Sequence, residues 1–311
     1  MSYSNVYINM TAQFLNVGVS IFIIISGYLY GKKEIKEEYF RWIIKRAKRI
    51  LIPMYFFMVF LLIINLVIGN NIKISNWIAY IFNLQGFQIY IHGAEHLWYL
   101  TIIMICYLIT QILNKYKTKI SNKNLIIYIS IGVLLQLMTS YFINTQLGIY
   151  LIYILLYIIA YIVGDKGKII ISMKLMFISL VLAGISGILR IGTRVLFDNS
   201  ILYNVIIVGY TQGLIAFCIF YIFIYMCRNV KENKVINFFD SISFEIYLVH
   251  YMYVVGPLRV MGLTNSFMIN TIMTLVISIL TAIGLKKICE KFYLLIDVVR
   301  LSKNINKSRT L

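Results

Sequence analysis

Runs of about twenty residues with almost no charge recur along the whole chain, and few folds can accommodate them. The first, FLNVGVSIFIIISGYLYG from Phe14, meets no charged residue before Lys32. Nine such segments divide the chain, at about 13–31, 50–69, 96–113, 125–144, 147–163, 175–192, 202–227, 241–257 and 266–285. In lipid the backbone must satisfy its own hydrogen bonds, which leaves helices or a closed barrel. The runs are continuous rather than alternating with period two, which excludes the barrel. Charged residues are 13% of the chain, about half the ~25% usual in a soluble domain. The expectation is an all-α, polytopic membrane protein with about nine transmembrane helices, one membrane-embedded domain over 1–311 and a basic tail over 286–311.

The net charge of +18 would suggest a nucleic-acid partner in a soluble protein. Here the basic residues follow the spans instead. Segments after spans one, three, five, seven and nine hold 25 of the 29 Lys and Arg residues; Lys73, Arg190, Arg194 and Arg259 are the others. This alternation assigns the N-terminus to the outside and the C-terminus to the cytoplasm. No nucleic-acid partner is expected; membrane lipid is. Residues 1–12 carry no basic residue, so the first run reads as a span entering from outside and not as a signal peptide. The four cysteines lie in spans or at their inner ends without ligand spacing, so neither a disulfide framework nor a metal site is expected.

Four stretches carry the remaining information. They are FIIISGYL (Phe22–Leu29), KRAKRILIPMY (Lys45–Tyr55), HLWYL (His96–Leu100) and SFEIYLVH (Ser243–His250). In this order, over nearly the whole chain, they resemble the acyltransferase 3 family of bacterial membrane O-acyltransferases. That resemblance implies transfer of an acetyl or other small acyl group from cytoplasmic acetyl-CoA, or another acyl-CoA, to a glycan of the cell envelope. It also implies a multi-pass protein of the bacterial plasma membrane. The family usually has ten membrane helices, and its first carries an Arg and a His taken as the catalytic base. Residues 1–12 contain neither, so the chain is expected to lack that helix.

Each motif has a plainer reading beside the functional one. Ser26 and Gly27 suit close helix packing; by resemblance they border the substrate site. Lys45, Arg46 and Arg49 suit anchoring at the inner face; by resemblance they hold coenzyme A phosphates, which Arg grips bidentately. Trp98 suits an interfacial belt or a glycan-facing wall. His96 has an unperturbed pKa suited to a base, and the candidate catalytic residues are His96, Glu95 and His250. Ser243, Tyr247 and His250 form one helical stripe at i, i+4 and i+7, with Tyr247 a candidate substrate contact. Arg190 either snorkels to the interface or binds an anionic acceptor. Glu245 stands near the inner third of its span and needs a partner. The segment from Asn76 to Tyr90 reads as an interfacial stretch lining the acceptor entrance. Two other readings share these features: an exporter or flippase of glycan or lipid, and a catalytically inactive homologue.

Overall fold

Each apolar run is helical over most of its described residues in the computed structural model; of the two prolines, Pro53 lies inside a helix and Pro257 just beyond the end of one. The structure describes residues 17–71, 73–87, 89–116, 122–167, 169–197, 200 and 202–309; side chains at 122–125, 195–197, 202 and 297–309 are not described. Residues 13–16 of the first expected span, and the expected outward N-terminus, lie outside the described residues. The helices are α1 (Gly18–Lys32), α2 (Tyr39–Ile68), α3 (Ile74–Ile81), α4 (Trp98–Lys115), α5 (Asn122–Met138), α6 (Thr145–Asp165), α7 (Met173–Phe197), α8 (Val208–Cys227), α9 (Lys234–Val254) and α10 (Phe267–Arg309). No strand occurs among the described residues.

Seven of the described helices are long and apolar enough to cross a membrane. The two other expected spans are helices as well. α1 is shorter, at 15 residues, and α9 includes Asp240 and Glu245 among its 21 residues. Large apolar side chains such as Val67, Val181, Ile188 and Met268 stand on the outside, a pattern stable only if the surrounding solvent is lipid. The protein is a polytopic helical membrane protein.

Several boundaries differ from the sequence expectation. α2 begins at Tyr39 rather than near residue 50, because Lys, Arg, Ala and Ile are all compatible with helix; the basic run therefore lies on a helix. Pro53 is tolerated inside it at the cost of one backbone bond, the one to Arg49's carbonyl. α10 runs without interruption to Arg309, so residues 286–309 continue a helix. The turn between α5 and α6 is made by Asn144, whose side chain accepts from the amides of Gln146 and Leu147.

The chain forms two compact units. One comprises the chain up to Phe40 together with Ile102–Val230; the other comprises Arg41–Thr101 and Lys231 onward. In the first, α1 lies along α6. Gly27 and Gly31, four apart, make the close approach possible: a Cβ at Gly27 would stand 2.5 Å from Tyr157's carbonyl oxygen, and one at Gly31 would meet that of Tyr161. Across this unit, Thr110 and Tyr157 share a buried 2.6 Å hydroxyl contact, and Tyr210 donates to Gln136 at 2.8 Å.

In the second unit, α9 packs on α10, with Tyr253 and Thr281 hydroxyls 2.7 Å apart. The Tyr293 hydroxyl on α10 donates to Lys48's carbonyl on α2, and the Phe56 and Phe292 rings meet edge to face. Basic ends of α2 and α10 therefore share one end of this unit, the end that the charge pattern assigns to the cytoplasm.

Candidate active site

At the other end of the second unit the chain returns from α3 to α4 through residues 82–97. Several bonds fix this return. The Tyr80 hydroxyl donates to Ala94's carbonyl and accepts from the Ile91 amide. Gln85 donates to Leu97's carbonyl at 3.1 Å, and Thr101's hydroxyl accepts from the Gly86 amide. Gly93 adopts φ 89°, a left-handed conformation that favours glycine. A Cβ there would also lie 2.7 Å from Pro257. Glu95 then caps the turn: one oxygen accepts from the Gly93 amide at 2.7 Å, and the other faces His92 Nδ1 at 3.3 Å.

A short 3-10 turn, Glu95–Leu97, leads into α4 and brings His96 against α9. His96 Nε2 is 2.8 Å from Tyr247's backbone carbonyl, and the Tyr247 hydroxyl donates to His96's carbonyl at 2.6 Å. A carbonyl only accepts, so Nε2 carries the proton and Nδ1 holds the lone pair. That Nδ1 is buried and has no hydrogen-bond partner among the described residues. His250 Nδ1 is 2.7 Å from the same Tyr247 carbonyl, so it too donates and leaves its lone pair on Nε2. The His96 and His250 rings are 5.0 Å apart, and Tyr251 stacks on His96 at 4.8 Å.

Three of the sequence candidates, His96, His250 and Tyr247, therefore converge, with Glu95 one residue away ordering the turn. Trp98 opens α4 beside them. Ser243 keeps its place on the α9 stripe but is exposed, its hydroxyl donating to Asp240's carbonyl one turn back on its own helix. Tyr251 takes a place in the cluster that was not anticipated, although its spacing of four from Tyr247 could have revealed it. His92 is engaged with Glu95 and His96 with α9, so the two rings do not share a face as their spacing had allowed.

The basic candidates sit at the opposite end of the same unit. Lys45 and Arg49 are exposed on α2, and the Arg46 guanidinium lies over the Trp42 ring at 5.5 Å. The charges of Lys286 and Arg49 act favourably on Glu245 and that of Glu290 unfavourably.

The remaining candidates belong to the first unit. Gly27 lies in the crossing of α1 and α6, with Ser26 half-buried beside it. Arg190 on α7 is only 7% exposed. Among the described residues its Nε and Nη1 have no hydrogen-bond partner, and the groups acting on its charge are Tyr203 and Tyr153. Gln212 and Ser20, both buried, border Tyr153.

Comparison with known proteins agrees with this arrangement of motifs. No curated protein and no solved structure matches the sequence. Residues 1–286 match the family model described as an acyltransferase domain, acyltransferase 3. With nearly the whole chain matched, the protein belongs to the acyltransferase 3 family of membrane acyltransferases.

Proposed function

We propose that the chain transfers an acetyl or similar small acyl group from a coenzyme A thioester to a hydroxyl of a cell-envelope glycan, in the bacterial plasma membrane. The observation that carries this reading is His96, locked in one tautomer with an unpartnered Nδ1 lone pair. Such a nitrogen is prepared to accept a proton. Arg46, Arg49 and Lys45 bind the nucleotide phosphates at the cytoplasmic end. Along α2, Arg49 and Leu61 are about 18 Å apart at 1.5 Å per residue, and a Cβ on Gly93 would stand 3.3 Å from Leu61. An extended pantetheine arm suits that distance.

In the reaction, His96 Nδ1 takes the proton of the acceptor hydroxyl. The oxygen attacks the thioester carbonyl, a C–O bond forms and the C–S bond breaks. The thiolate leaves and recovers the proton from the imidazolium. His250 and Tyr247 hold His96 in register and border the acceptor, Glu95 fixes the turn, and Trp98 flanks the sugar. In the first unit, the family resemblance makes Ser26 and Gly27 candidate substrate contacts, and the Arg190 guanidinium suits an anionic group.

The test is transfer of labelled acyl groups from acyl-CoA to envelope glycans by the purified chain in lipid. His96→Gln retains a donor for Tyr247's carbonyl and lacks a basic nitrogen that could take the proton. Transfer by the native chain that H96Q abolishes supports the reading; transfer unaffected by H96Q overturns the role of His96, and thioester-independent movement of glycan would favour an exporter.

A further inference from the structure

Beside the His96 turn, the second unit contains a cleft of about 400 Å³, within the range of small-molecule sites. Its wall includes Asn65, Asn70, Asn76, Trp77, Tyr90 and His92. The amides are held in place. Asn65 is 5% exposed and donates to Leu61's carbonyl, Asn70 donates to Asn65 at 2.9 Å, and Asn76 donates to Tyr90's carbonyl at 2.9 Å. Each amide has two N–H groups and a two-lone-pair oxygen; Asn65 and Asn76 each donate once and accept once and Asn70 donates once, which leaves an N–H and a lone pair on every one of them.

This composition selects a ligand class. Fixed amides supply donors and acceptors together, as vicinal hydroxyl groups require. Trp77 and Tyr90 supply flat apolar faces for the C–H side of a ring. Lys73 is the cation among the lining residues, too little to define a polyanion site. The cleft opens where α2 ends and α3 begins, on the side that the charge alternation assigns to the outside. His92, on its wall, is paired with Glu95, the residue before His96.

We propose that this cleft binds a pyranose unit of the acceptor glycan, stacked on Trp77 and hydrogen-bonded by the asparagine amides. As the acceptor subsite it rests on the transferase reading; as a sugar site it stands on its own walls. The sugar could be part of a free polymer or of a lipid-linked glycan, which share this chemistry.

The experiment is equilibrium binding of radiolabelled hexose and N-acetylhexosamine trisaccharides to the full chain in lipid nanodiscs, free and attached to a polyprenyl phosphate. Binding that Trp77→Ala weakens at least tenfold and Trp77→Phe largely restores supports the site. If W77A does not fold, Asn71→Ala is the second variant: Asn71 also lines the cleft and is exposed, and its loss is expected to weaken binding about fivefold. Equal binding of both forms assigns a polymer, and binding of the lipid-linked form alone assigns a glycolipid; each supports the cleft. Absence of binding, or binding indifferent to Trp77 and Asn71, overturns it. Trp77-dependent binding by a chain that transfers no acyl group would sink the transferase reading and leave the cleft standing. Acyl transfer without such binding would do the reverse.

Discussion

Tyr247 and His96 hold each other twice: the tyrosine's carbonyl accepts from the His96 ring, and its hydroxyl donates back to His96's own carbonyl. Either bond alone would leave the turn free to rotate about the other. Together they fix the position of the imidazole and its tautomer. Tyr247→Phe removes only the 2.6 Å hydroxyl bond. A net loss of about 1 kcal/mol is expected in stability, with a larger fall in transfer because the ring is no longer held. Thermal unfolding and acyl transfer measured on one preparation will separate the two effects; parallel losses would make Tyr247 a packing residue.

His96 itself should behave differently. General bases contribute roughly 10²–10⁴-fold to rate. H96Q keeps the contact to Tyr247 and should lower kcat by that order while leaving KM for acyl-CoA within about twofold. A KM effect of equal size would mean that His96 positions the donor and leaves proton transfer to another group.

Arg46 and Arg49 lie one turn apart on α2, and the helical register puts both at the same end of the unit. If they grip coenzyme A phosphates, Arg→Lys at both sites should raise KM for acyl-CoA at least tenfold, because Lys cannot bind bidentately. Anchoring alone would tolerate Lys fully, since the charge is kept. Kinetics against acyl-CoA concentration, in the same lipid, distinguish the two.

The crossing of α1 on α6 gives a stability prediction. A side chain at Gly27 meets the backbone of Tyr157, which has nowhere to move, whereas Gly184 on α7 has nothing within 4 Å. Gly27→Leu should therefore destabilise by about 1–3 kcal/mol, and Gly184→Leu should be close to neutral. Thermal unfolding in detergent reports both; equal effects would mean that α1 adjusts to the added bulk.

Much of this was readable in the residues, and the limits have physical causes. Continuous apolar runs locate helices well, because lipid leaves the backbone no alternative. Charges gave poorer boundaries: the run from Arg41 to Arg49 looks like a loop by polarity but is a good helix former. The widened turns at Thr139–Ile143 and Leu202–Ile207 leave no mark in the sequence. His96, Tyr247 and His250 were identifiable as motif residues, but the contact between positions 96 and 247 is a tertiary fact that no local spacing encodes. The asparagine cleft was hidden for a different reason. Asn near a helix end ordinarily signals a turn, and only the bonds from Asn70 to Asn65 and from Asn76 to Tyr90 reveal a wall.

Arg190 offers the prediction whose sign is least expected. A buried cation without a counter-charge costs several kcal/mol, and an apolar replacement of similar volume is often neutral or stabilising. Here the neighbours acting on the guanidinium among the described residues are tyrosines, and two of its nitrogens have no partner among those residues. Arg190→Met should therefore leave the ligand-free protein as stable as the native chain, or more so. If the arginine is kept for an anionic acceptor, the same substitution should weaken binding of a glycan carrying carboxylate or phosphate at least tenfold and leave a neutral glycan unaffected. Unfolding of R190M in the absence of ligand, with binding of paired neutral and anionic trisaccharides, measures both quantities. A large loss of stability would make Arg190 a structural element of the first unit, and equal binding of the two sugars would remove it from the acceptor site.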